Sequence, residues 1–141
     1  MSGDIDVISD DYVPSDDEPF MNVRQQEYFR RKLLAWKDDI LLENLGTIQN
    51  LKEEASNHPD VADRASSEAE RTLELRTRDR QRKLISKIDA AIRRIDEGTY
   101  GYCEDNGEPI GLGRLDARPI ATLSVEAQER HEKREKVYRD D

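Results

Sequence analysis

Two sets of side chains in this sequence are of types that could do chemistry. Asp60 and Asp63 lie three residues apart in Pro59-Asp60-Val61-Ala62-Asp63-Arg64-Ala65. A carboxylate pair beside a proline suits the start of a helix, where Asp caps free N–H groups and negative charge complements the dipole. The same pair could serve a metal-dependent hydrolase, but the sequence offers no third ligand, general base or enclosing pocket around it. The second candidate is Cys103, the one cysteine of the chain. Alone, it cannot form an internal disulfide. It is either a small buried hydrophobe or, if exposed and acidic, a redox sensor.

The elements that must position these groups are helical. From Asn22, the residues Tyr28, Leu33, Leu34, Leu41, Leu45, Ile48 and Leu51 recur at helical spacing among charged neighbours, which predicts an amphipathic helix to about Asn57 with Gly46 as its weak point. Asn57-His58-Pro59 breaks it, because proline lacks an N–H and pushes the preceding residue out of the helical region. A second helix begins near Asp60 or Asp63 and runs to Glu97, where Gly98 stops it. Its apolar stripe is Ala69, Leu73, Leu84, Ile88, Ala91, Ile92 and Ile95, dense only near the end. Equal lengths and a tight turn predict a long antiparallel helical hairpin, a coiled coil over 21–98 with its tip at 57–65. Arms of that length reach about 50 Å, so the hairpin is expected to project from the rest.

Residues 99–141 are expected to form a small globular region. Four of the seven glycines fall at Gly101, Gly107, Gly111 and Gly113. They suggest a knuckle with short hairpin strands near Tyr100–Cys103 and Pro109–Leu112. Ser124 stands where an N-cap would open a terminal helix from Val125 to about Tyr138. The fold class is therefore mainly α.

Composition narrows the function. The formal charge is -9, with 39% charged and 35% hydrophobic residues. Seven of the 32 acidic residues lie in the first 19 positions, where no Lys or Arg occurs, so the remainder is close to neutral. Residues 1–20 read as a disordered or loosely docked acidic tail, in which Ile5, Val7, Ile8, Tyr12 and Val13 could still find a surface. An acidic chain is repelled by phosphate backbones, which argues against direct DNA binding and for a protein partner. No apolar run is long enough for a membrane, and no export signal opens the chain, so a cytoplasmic protein is expected.

Beyond these patterns the chain resembles the DksA/TraR family of bacterial RNA polymerase-binding regulators. The resemblance rests on Phe20-Met21-Asn22, Phe29-Arg30-Arg31-x-Leu33-x-Ala35-Trp36, the Asp60/Asp63 segment, Leu73-Glu74-Leu75-Arg76-x-Arg78-Asp79-Arg80, Gly101-Tyr102-Cys103-Glu104, Gly107-Glu108-Pro109-Ile110-Gly111 and Arg114-Leu115-Asp116-Ala117-Arg118-Pro119. It covers about residues 20–127. It implies a non-enzymatic, monomeric transcription regulator whose hairpin enters the secondary channel of RNA polymerase, with Asp60, Asp63 and Ala65 acting near the active centre. The co-regulator it implies is guanosine tetraphosphate (ppGpp), at a surface shared with the polymerase, and Leu84, Lys87 and Arg118 match the family's positions there. Where the family often has a basic residue next, this chain has Gln128, which implies a weaker response.

The family's zinc finger fares differently. Its four cysteine positions correspond to Cys103, Asn106, Ser124 and Ala127. Structural zinc needs four thiolate or imidazole ligands, so no zinc is expected and no other cofactor is implied. Neither His58, at the tip, nor His131, on the terminal helix, obviously repairs the site. Hydrogen bonds from Asn106 and Ser124 and contacts among Tyr102, Ile110, Leu112, Leu115, Ile120 and Leu123 are the expected substitutes. A competing reading makes the protein a structural helical hairpin that homodimerises through its stripes.

Overall fold

Asn22 opens the first long helix, its Oδ1 accepting the Gln25 N–H at 2.9 Å. In the computed structural model α1 spans Val23–Asn57 and α2 spans Val61–Glu97. They are followed by a short α3 (Leu112–Ala117) and a terminal α4 (Val125–Asp140). The structure describes residues 8–57 and 61–140, and within the helices it leaves aside the side chains at 47, 50, 51, 54–57, 61–66 and 138–140. Gly98 ends α2 as expected: at φ +81 it takes the left-handed conformation that lets Thr99 N–H return to Arg94 O at 2.9 Å.

The described residues fall into two compact units. One comprises residues up to Leu33 together with Ala90 onward; the other is Leu34–Asp89. In the first, α1 and α2 run antiparallel, with Arg30 paired to Asp96. Phe29, Leu33, Ala91, Ile95, Tyr100, Leu115 and Ala127 form its buried core, and the Phe29 and Tyr100 rings lie 5.6 Å apart. Tyr100 is enclosed, yet its hydroxyl keeps a partner by donating to Pro119 O at 2.8 Å. In the second unit the helices are again antiparallel, joined by Lys37–Asp89 at 2.7 Å and Gln81–Glu43 at 2.8 Å. Its buried apolar residues are Ile40 and Ile88.

The α1 stripe is shifted from the expected one. Leu33 is buried, but Leu34, Leu41 and Leu45 are exposed, and Phe29 and Ile40 take the inner face. Consecutive helical residues point about 100° apart, so Leu33 and Leu34 cannot share one core. On α2, Ile88, Ala91 and Ile95 are buried as expected, whereas Leu73 is 61% exposed.

One further expectation is corrected. The β-hairpin reduces to a single antiparallel bridge between Tyr102 and Pro109. Positive φ at Gly101, Gly107 and Gly111 makes tight turns that leave no length for strands, and Leu112 begins α3. In the acidic segment, residues 8 to 20 make contacts of the docked kind. Ile8 is buried, Tyr12 OH donates to Glu18 at 2.7 Å, Arg24 lies 4.8 Å over the Tyr12 ring, and buried Gln25 donates to Ser15 O at 3.3 Å. Burial first, then the Glu18 carboxylate, push the Tyr12 phenol up to about 12.

Candidate functional site

The knuckle is the best-defined candidate site. Residues 101–110 turn back on themselves through Ile110 N–H to Gly101 O and Cys103 N–H to Glu108 O, both 2.8 Å. Glu104 N–H reaches Thr122 O at 2.9 Å, which brings the segment before α4 alongside. Gly101 is where three pieces meet. A Cβ there would lie 2.9 Å from Met21 Cε, 3.3 Å from Phe20 Cζ and 3.4 Å from Leu115 Cδ1. Only glycine fits this junction of the N-terminal segment, the knuckle and α3.

At the former metal positions the chain makes hydrogen bonds instead. Cys103 is buried. Its Sγ accepts the Ser124 N–H at 3.4 Å and lies 3.8 Å from Ser124 Oγ. Burial by itself pushes this thiol up, but the backbone N–H groups of Ser124, Asn106 and Asp105 and the Ser124 hydroxyl outweigh it, holding Cys103 below its ordinary value. Ser124 Oγ also accepts the Ala127 N–H at 3.2 Å and so caps α4. Asn106 makes only a local turn, its Oδ1 accepting Glu108 N–H at 3.0 Å. Ala127 is fully buried and offers no donor atom.

These residues do not fit a zinc ion. One thiol, one hydroxyl already engaged in capping, one amide turned to its own loop and one methyl cannot make a tetrahedral N/S set. Among the described residues no group of three or more His, Cys, Asp or Glu side chains could hold a metal ion.

His131 performs a task the sequence did not reveal. From α4 its Nε2 meets the Asp105 carboxylate at 2.9 and 3.1 Å, tying the helix that carries Ser124 and Ala127 to the loop that carries Cys103 and Asn106. Arg130 stands 4.0 Å from the same carboxylate. The brace therefore spans the two halves that a four-cysteine ion would have joined. Only its 26-residue separation hides it from sequence patterns.

A second tie holds α3. Asp116 Oδ1 accepts from Lys32 Nζ and from Tyr28 OH, both at 2.7 Å. The ammonium first and the phenol second hold Asp116 below the ordinary carboxylate range. In return Asp116, with burial next, pushes Tyr28 up to about 12. Neither Tyr28 nor Asp116 was singled out for this pairing by the sequence pattern.

The other candidate residues stand as follows. Asp60 lies outside the described residues; Asp63 and Ala65 fall within α2, with side chains outside the description. Leu84 is half-buried and Lys87 exposed on α2, and Arg118 is exposed just after α3. Gln128 is half-buried and bonded to Glu132 at 3.2 Å. No described helix is long and apolar enough to cross a membrane.

Two long helices, antiparallel within each unit, a knuckle with one cysteine and a capped terminal helix make up a mainly α fold. The family described as DnaK suppressor protein DksA, N-terminal domain, matches residues 25–95, and the prokaryotic dksA/traR C4-type zinc finger matches residues 98–133. The chain is 70% identical over 131 residues to the RNA polymerase-binding transcription factor DksA of Caulobacter vibrioides, covering 93% of this chain and 92% of that one. It is 44% identical over 119 residues to the protein of the same name from Escherichia coli K12, covering 84% and 79%. Among solved structures it is similar to transcription factor DksA2 from Pseudomonas aeruginosa, with a TM-score of 0.78, 42% identity, and 85% and 95% of the two chains covered. This chain belongs to the DksA family.

Proposed function

We propose that this chain is a transcription regulator that binds bacterial RNA polymerase and works without zinc. What carries the reading is the combination of a long helical hairpin with 70% identity, across nearly the whole length, to a relative named for polymerase binding. The hairpin enters the secondary channel as a monomer and brings Asp60, Asp63 and Ala65 to the active centre. A carboxylate pair near the catalytic magnesium interacts strongly in a partly desolvated channel. The tip alters the stability of polymerase–promoter complexes and supplies no chemistry of its own. Guanosine tetraphosphate is the co-regulator, meeting Leu84, Lys87 and Arg118, with cations suited to its phosphates. The exposure of Lys87 and Arg118 is consistent with such a role. Zinc independence is supported by the mismatch between the four former ligand positions and any zinc coordination.

In-vitro transcription from a ribosomal RNA promoter, with and without guanosine tetraphosphate, tests this. Wild type is expected to inhibit, and more so with the nucleotide. Asp60→Asn with Asp63→Asn is expected to bind polymerase but lose the effect. Full inhibition by the doubly changed protein would refute the role of the tip, and failure of wild type to bind polymerase would refute the reading.

A further inference from the structure

The pairing face of the Leu34–Asp89 unit changes character partway along. Near Lys37–Asp89 it carries buried Ile40 and Ile88 and half-buried Leu84. At the level of the Gln81–Glu43 hydrogen bond it carries Asn44 on α1 and Gln81 on α2, and Arg78 and Glu74 follow one and two turns further along α2. Four atoms of this stretch, Asn44 Oδ1, Gln81 Oε1, Arg78 Nε and Glu74 Oε2, are shut from solvent with no hydrogen-bond partner among the described residues.

Two independent features mark the same stretch as weakly held. Leu45, Leu73 and Leu75 are 63%, 61% and 45% exposed, so these three leucines add little core. Thr72 and Thr77 turn their hydroxyls back onto the Glu68 and Leu73 carbonyls at 2.9 and 3.0 Å, a bond that bends and loosens helices. A polar residue within a helix pair fixes register at a cost in stability, and a half-satisfied buried network is a preferred place for a fold to open.

We propose that the Asn44/Gln81 layer is a built-in opening point, with Arg78 and Glu74 leading on from it. Beyond it, the paired segments 45–53 and 68–77 separate and re-form while 34–42 and 84–89 stay closed. On re-closing, the layer restores one register, because a shifted pairing would set these polar atoms against the apolar positions beside them. The inference concerns the free protein and does not depend on the polymerase reading.

Hydrogen exchange of the full-length protein, followed by mass spectrometry, tests it. Amides of 45–53 and 68–77 are expected to exchange at least about tenfold faster than those of 34–42 and 84–89, with little dependence on low denaturant, as local opening requires. In the double variant Asn44→Leu with Gln81→Leu, exchange beyond the layer is expected to slow by about tenfold or more, with the other segments unchanged. Uniform protection along the wild-type unit would overturn the proposal, as would a folded double variant that keeps the wild-type contrast. If that variant fails to fold, as judged by circular dichroism, the wild-type map alone decides.

Discussion

The unit that carries the knuckle and the Leu34–Asp89 unit are held together by different physics. The first buries Leu33, Ala91, Ile95, Leu115 and Ala127 with Phe29 and Tyr100 and adds specific ties, Tyr100–Pro119, Asp116–Lys32 and Asp105–His131. The second buries Ile40 and Ile88 and gives much of its remaining inner face to polar groups. The difference matters for a knuckle whose residues do not fit a zinc ion. A zinc-finger-sized fold normally depends on its ion for folding, so a knuckle without ligands needs dense packing and side-chain braces. The Leu34–Asp89 helical pair shows neither among its described residues.

Truncations at the two cores sharpen this contrast most. Phe29→Ala is expected to cost about 3–5 kcal/mol, because the fully buried ring sits between Tyr28 and Tyr100. Ile40→Ala, in the unit whose described buried apolar residues are Ile40 and Ile88, is expected near the low end, about 2 kcal/mol. Urea unfolding of both variants measures the difference. Equal losses would mean that the two units are equally well packed.

A smaller effect is expected at the former metal positions. Ser124→Ala removes both the α4 cap and the hydroxyl beside Cys103, and should cost about 1 kcal/mol. It should also move the Cys103 thiol back toward its ordinary value, followed by thiolate ultraviolet absorbance against pH. An unchanged thiol would show that the Ser124 hydroxyl contributes nothing to the cradle.

The smallest effect belongs to the α3 tie. Asp116 is held below its ordinary value in the fold, so the unfolded chain binds the proton more tightly. Its contribution is therefore complete above about pH 4 and disappears as pH falls through the depressed value. Asp116→Asn is expected to cost about 0.5 kcal/mol at neutral pH, since the carboxylate is half exposed and screened by water. Thermal melts of variant and wild type should converge in acid; a gap that persists there would show that the tie is not ionic.

Much of this was legible in the sequence because its signals are local. Asn22, Gly98 and Ser124 mark helix ends through their own backbone chemistry, and the structure puts the ends there. Glycine spacing was less informative around residues 101–113, since it reports turns without saying whether strands or a helix lie between them. The helix stripe on α1 was misplaced because charged neighbours left two faces one residue apart equally plausible, and only contact with α2 chooses Phe29, Leu33 and Ile40. For the acidic segment the sequence left disorder and loose docking both open, because its charge hides the Glu18 and Gln25 contacts that hold residues 8–20. His131 and Asp105 were missed for a related reason, being distant in sequence and ordinary in type. The former metal positions, by contrast, could be found only through the resemblance to the family.

The central claim is that hydrogen bonds and packing do the work of the ion in this knuckle. Elemental analysis of protein purified without chelator from zinc-replete cells, paired with thermal melts before and after chelator treatment, tests it most directly. The account predicts far less than one zinc per chain and the same melting temperature in both melts. One zinc per chain, with a melting temperature that falls when it is removed, would contradict it.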